Sequence, residues 1–150
     1  MRKTPSYFKY TRQQSPRPHF PLELQEAATN PPVTFLRLRH SLLPWFIEVN
    51  ANTSPGDLRI ITIGHLLSMI HLELRRQIEH NDFYNEDVSE EDRQRITAAF
   101  TTRTRDDAED YSKGVRRIDF LGEEFVFVGI KKRGSEWILK TQPWSSPLMA

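Results

Sequence analysis

Apolar and polar residues alternate from Val33 to His40, with Phe35, Arg37 and Arg39 on one face and Leu36, Leu38 and His40 on the other. A period of two is the pattern of a half-buried strand. After a turn at 41–44, Trp45, Ile47 and Val49 oppose Phe46 and Glu48, which predicts an antiparallel partner. The run from Asn50 to Asp57 is rich in Asn, Ser, Pro and Gly and ends the hairpin as a loop. From Thr62 to Glu79 the period changes. Ile63, Leu67, Ile70, Leu74 and Ile78 recur at spacings of three and four, with Glu73, Arg76 and Glu79 outside the stripe. This predicts a helix that starts near Thr62 or Gly64. Ser89, with Asp92 three residues on, marks a second helix that runs to about Arg103, its apolar face narrow at Ile96, Ala99 and Phe100. Phe83, Tyr84 and Val88 anchor the connection between the helices, and 101–113 is a fraying extension or a polar loop.

Three further strands are predicted, at 115–121, 124–131 and 136–141, the last two joined by a hairpin through Gly134. Phe125 and Phe127 alternate with Val126, Val128 and Ile130, so the middle strand is apolar on both faces and expected at the centre of the sheet. The expected fold class is α+β: an antiparallel sheet of about five strands in the order ββααβββ, two helices on one face, and extended arms at both ends. Residues 1–22 form the first arm, 23–141 one domain and 142–150 a C-terminal tail.

A chain of 150 residues, 37% apolar and 27% charged, is expected to form one polar domain that buries roughly 70% of its unfolded surface. It has no cysteine, which removes disulfides, thiolate metal sites and cysteine nucleophiles. With no apolar stretch of membrane-spanning length and no apolar segment after Arg2 and Lys3, the expectation is an intracellular, cytoplasmic protein without a membrane segment. The net charge of +1 hides a division. Residues 1–22 carry Arg2, Lys3, Lys9, Arg12 and Arg17 and no acid, which leaves 16 basic against 20 acidic residues in the rest. Pro5, Pro16, Pro18 and Pro21 oppose a regular helix or central strand in this arm and spoil a transit peptide's amphipathic helix. Tyr7, Phe8, Tyr10 and Phe20 interleave with the cations, a composition suited to stacking on single-stranded RNA. The alternative is an arm laid over its own acidic domain.

His65 and His71 are six residues apart on the predicted helix, about 120° around its axis, so they do not share a face as metal ligands would. His40 could join either of them, with Glu48 or Asp119 as the acid. Ser41, Ser68 and Ser112 lack a nucleophile elbow, and the carboxylate pairs Glu123-Glu124 and Asp106-Asp107 read as solvated charge. No cofactor is expected. The block Gly114-Val115-Arg116-Arg117-Ile118-Asp119-Phe120-Leu121-Gly122 carries the sharper candidates. As a strand it places Arg117 and Asp119 on one face and Arg116 on the face of Ile118 and Phe120. Such a group either fixes strand register or offers guanidinium forks to a carboxylate or phosphate. Trp45 and Trp137 are expected in the core, whereas Trp144 covers a sheet edge or meets a partner.

The segments Ala28-Thr29-Asn30-Pro31-Pro32, Leu42-Leu43-Pro44-Trp45, Ile63-Gly64-His65-Leu66-Leu67 and the block from Gly114 to Gly122 together resemble a fungal family. It is a domain of unknown function abundant in mushroom-forming basidiomycetes. The resemblance covers roughly residues 24–140, leaves the basic arm outside, and implies no activity, cofactor or catalytic residue. The expected function is a non-catalytic intracellular module binding a protein partner or a small anionic ligand at Arg116, Arg117, Asp119 and Trp144. The rivals are a small hydrolase or isomerase using a histidine and a carboxylate, and RNA binding through the arm.

Overall fold

The computed structural model describes residues 22–52 and 59–144. The expected N-terminal arm lies outside them but for Leu22, as do most of the loop after Asn52 and the last six residues of the tail. The described chain is α+β, with a four-stranded mixed sheet, four α-helices and two 3-10 helices. Its residues fall into a sheet unit, drawn from 22–71 and 127–141, and a helical unit, drawn from 72–126 and 142–144.

In the sheet unit, β1 (Phe35–Arg39) and β2 (Ile47–Asn50) form the expected antiparallel pair, with Leu36 opposite Val49 and Arg37 opposite Glu48. Their burial alternates as the sequence predicts, with Leu36, Leu38, Ile47 and Val49 inside and Phe35, Arg37, Arg39 and Glu48 outside. A two-residue turn joins β3 (Val126–Arg133) to β4 (Glu136–Gln142). Its first residue, Gly134, has φ 61°, the conformation that reserves this position for glycine in a two-residue hairpin. The sheet order is β2-β1-β4-β3, and β1 pairs with β4 in parallel, Leu38 opposite Trp137 and Arg39 opposite Ile138. The expectation of five antiparallel strands is thus corrected to four strands in a mixed sheet. β3, expected at the centre, is an edge strand: Phe127 and Ile130 are buried without a second strand neighbour, while Lys131, Lys132 and Arg133 are exposed.

The helix α1 (Ile63–Leu74) begins after Thr62, whose Oγ1 accepts the His65 amide at 3.1 Å. Ile63, Ile70 and Leu74 of the expected stripe are buried, but Leu66 is buried where spacing assigned Leu67, which is half-exposed. The helix stops at Leu74, five residues before its expected end, because the next residues leave it for backbone partners elsewhere in the helical unit. Gln77 bridges antiparallel to Arg116, the Arg117 amide donates to the Arg76 carbonyl (2.9 Å), and the Ile78 amide donates to Val115 (3.2 Å).

The helical unit continues with α2 (His80–Phe83), α3 (Glu90–Arg103) and α4 (Ala108–Ser112). Ser89 and Asp92 form the predicted capping box of α3, each side chain accepting the other's amide at 3.0 Å. Ile96 of α3 is fully buried in this unit, as are Phe120 and Leu121 of the 3-10 helix 117–121, on which α3 packs. That 3-10 helix replaces the strand expected at 115–121. Asp119 Oδ2 accepts the Arg116 amide at 2.9 Å, and the Asp119 amide donates back to the Arg116 carbonyl at 3.0 Å. A side chain that bonds its own backbone in this way offers the chain a turn in place of a ladder. Gly122 then ends the turn with φ 62° and ψ −124°, which an L-residue rarely adopts.

Candidate anion-binding site

The block from Gly114 to Gly122 separates into two charge clusters, both within the helical unit. The first is centred on Asp119, which is 2% exposed. Arg103, from the last turn of α3, grips it with both arms of its fork: Nε to Oδ1 at 2.8 Å and NH2 to Oδ2 at 2.8 Å. The remaining guanidinium nitrogen of Arg103 donates to Asp110 Oδ2 at 2.6 Å, and Arg116 reaches the other Asp110 oxygen at 2.7 Å. Arg116 also donates to the Arg75 carbonyl at 3.2 Å. The hydrogen bonds that Arg103 donates to Asp119 raise its value above the ordinary arginine one, against the effect of burial. Desolvation works against ionised Asp110, but the charges of Arg116 and Arg103 outweigh it and hold its carboxyl below the usual range. Two arginines and two aspartates therefore neutralise one another, and their forks are committed to internal carboxylates. Arg117 and Asp119, expected on one face of a strand, have different partners: that of Asp119 is Arg103, from another helix, and that of Arg117 is Glu73.

The second cluster holds Arg117. The antiparallel bridge between Gln77 and Arg116 places Arg76 directly opposite Arg117. Like charges in that position repel. Glu73, one turn back on α1, stands between them: its Oε2 accepts from Arg117 NH1 at 3.2 Å and from Arg76 NH1 at 3.3 Å. One carboxylate oxygen thus serves two guanidiniums. Burial, and next the like charge of Arg76, lower Arg117 below the ordinary arginine value, with Glu73 and Asp82 opposing. Arg75 adds a third cation, exposed and without an ion pair among the described residues. Three arginines thus lie close to Glu73, and the Arg76 and Arg117 forks share one of its oxygens. The sequence reading missed Arg75 and Arg76, which sit in the run expected to be the helix's outer face. That Arg76 faces Arg117 across a bridge is a tertiary fact with no local signal.

The remaining candidates are Trp144 and the histidines. Trp144, half exposed, follows β4 at the end of the described chain. His40 is buried in the sheet unit, where its Nδ1 accepts the Leu42 amide at 3.0 Å and its Nε2 meets Thr141 Oγ1 at 2.8 Å. His65 is half-buried and His71 exposed on α1. Of the acids proposed to complete a site, Glu48 pairs with Arg37 at 2.6 Å and Asp119 with Arg103. Among the described residues no group of three or more His, Asp and Glu is placed to hold a metal. No described helix is long and apolar enough to cross a membrane.

Fold and site together define an α+β protein with a mixed four-stranded sheet, in which the chemistry of the Gly114 block is arginine and carboxylate pairing. The chain belongs to DUF6699, a family of unknown function whose model matches residues 1–137. The match begins at residue 1, so it takes in the basic arm that the resemblance had left outside. No curated protein and no solved structure matches the chain.

Proposed function

We propose that this family member is a non-catalytic intracellular module that binds a small anionic ligand, or an acidic group of a protein partner, at Arg75, Arg76 and Arg117. The observation that carries this reading is the shared Oε2 of Glu73, which leaves two facing guanidiniums with one carboxylate between them. A phosphate or carboxylate entering there meets the planar forks of the exposed Arg75 and Arg76 and relieves the repulsion of Arg76 and Arg117. Arg116 and Asp119 serve this surface from beneath, through the Arg75 carbonyl and the 3-10 turn, and Trp144 remains a candidate contact for a partner. The intracellular setting rests on the absence of cysteine, and a fungal source on the segments that carry the resemblance.

Isothermal titration of the full chain with inorganic phosphate and with citrate tests the reading. Binding should appear at low salt, weaken with ionic strength and fall at least fivefold in Arg76→Ala. That side chain is 59% exposed, so the variant should melt within a degree or two of the parent. Binding that is absent, or unchanged in Arg76→Ala, contradicts the proposal.

A further inference from the structure

The sheet unit presents a different surface. On the outer side of β1 and β2, Arg37 stands opposite Glu48 and Phe35 opposite Asn50, and the Arg39 guanidinium lies 5.4 Å from the centre of the Phe46 ring. On the other flank of β1, Ile138 of β4 lies beside Arg39, which also puts Glu136 and Lys140 on this side. The two-residue turn sets Arg133 opposite Glu136 and Lys131 opposite Ile138, so both cations share the same face. Lys132, on the opposite side, lies 5.9 Å over the Trp137 ring, as that register requires. Five cations therefore share this face with two carboxylates. Glu48 pairs with Arg37 and Glu136 with Arg39, and Lys131, Arg133 and Lys140 have no ion pair among the described residues.

Two aromatic rings stand among these charges. Phe35 is 47% and Phe46 42% exposed. Phe46 has the guanidiniums of Arg37 and Arg39 at 4.9 and 5.4 Å from its centroid, while Phe35 has no ring or cation partner among the described residues. Capping by arginine accounts for Phe46 as an isolated surface ring. It does not account for Phe35, nor for three unpaired cations on the same side. An acidic peptide would be satisfied by the cations alone. Exposed rings and guanidinium planes beside unpaired cations match a ligand that has both flat π faces and a repeating negative charge.

We propose that the outer face of the sheet binds single-stranded nucleic acid, with bases stacking on Phe35 and Phe46 and phosphates meeting Lys131, Arg133 and Lys140. The surface belongs to the sheet unit, and the proposal does not rest on the Arg76 strip. The basic segment of residues 1–22 adds attraction for the same polyanion, so the test must isolate the face.

The full chain is titrated into a labelled single-stranded RNA about 20 nucleotides long, and fluorescence anisotropy is followed across a salt series. The logarithm of affinity should fall linearly with the logarithm of salt concentration. Replacing Lys131, Arg133 and Lys140 together with Ala should flatten that slope by about 2, at about 0.7 per cation on a single strand. Phe35→Ala and Phe46→Ala should each weaken binding about 5- to 150-fold at unchanged slope, the range of one lost base stack. An abasic strand of equal length should bind more weakly and not respond to Phe46→Ala. All these positions are exposed, and thermal melting checks that each variant is folded. No binding at low salt, binding insensitive to both phenylalanines, an abasic strand bound as well as RNA, or polyglutamate competing as well as RNA would each overturn the proposal. Insensitivity to all five substitutions would assign any affinity to the N-terminal segment.

Discussion

Substituting Asp119 by Ala removes the centre of the buried cluster. Three hydrogen bonds vanish at once: two from Arg103 at 2.8 Å and one from the Arg116 amide at 2.9 Å. Bonds to a charged group contribute about 1.5–3 kcal/mol each, and stranding the partner of a buried ion pair costs ~3–5 kcal/mol. Arg103 keeps Asp110 at 2.6 Å and is 22% exposed, which places the loss at the lower end, about 3 kcal/mol. For a chain of this length that lowers the melting temperature by about 6–12 °C. Asp119→Asn keeps an oxygen for the Arg116 amide and loses the charge, so about half the cost should remain. Equilibrium urea unfolding followed by far-UV circular dichroism measures both variants. The Arg103→Met and Asp119→Ala cycle should give a coupling energy above ~1.5 kcal/mol. A loss below ~1 kcal/mol for Asp119→Ala, or Asn and Ala costing the same, would refute the view that this carboxylate anchors the helical unit.

Other outcomes follow from the same contacts. Gly122→Ala should destabilise by about 2–3 kcal/mol in urea, because φ is 62° and a Cβ would come within 2.8 Å of Arg95 Cγ and Cδ. Ser89→Ala should cost about 1 kcal/mol by opening the capping box of α3. The Arg95 hydrogen bond, with the Ser89 amide and hydroxyl, lowers Asp92 to about 2. Its folded value lies below its ordinary one, so this contribution is fully present above about pH 4 and is lost as pH falls toward 2. The group is partly solvent-exposed, so Asp92→Asn should lessen the acid-induced loss of stability between those limits by less than ~1 kcal/mol in pH-dependent urea titrations.

The elements legible in the sequence are those written in local chemistry. The alternation around Leu36 and Leu38, the glycine of the β3–β4 turn, the Ser89 capping box and the Ile63 to Leu74 stripe each report a structure made by neighbours in the chain. The alternation of apolar and charged residues from Gly114 to Gly122 suits a strand, while Asp119 can also fold back on the Arg116 amide. With Arg103 available to neutralise that carboxylate, the turn prevails over the strand. The parallel pairing of β1 with β4 depends on partners 99 residues away, and the early exit of the chain from α1 to bridge Arg116 on one 39 residues away. No spacing within either segment announces them. The same holds for the cationic strip: Arg117 was named from its neighbourhood, but Arg76 and Glu73 entered only through that bridge.

The division of labour among these arginines is best tested by side-chain Nε–Hε nuclear magnetic resonance of the full chain during titration with inorganic phosphate. The Arg76 and Arg117 signals should shift together and saturate, while those of Arg103 and Arg116, held by Asp119 and Asp110, stay in place. Shifts at Arg103 and Arg116, with Arg76 and Arg117 unmoved, would contradict the account.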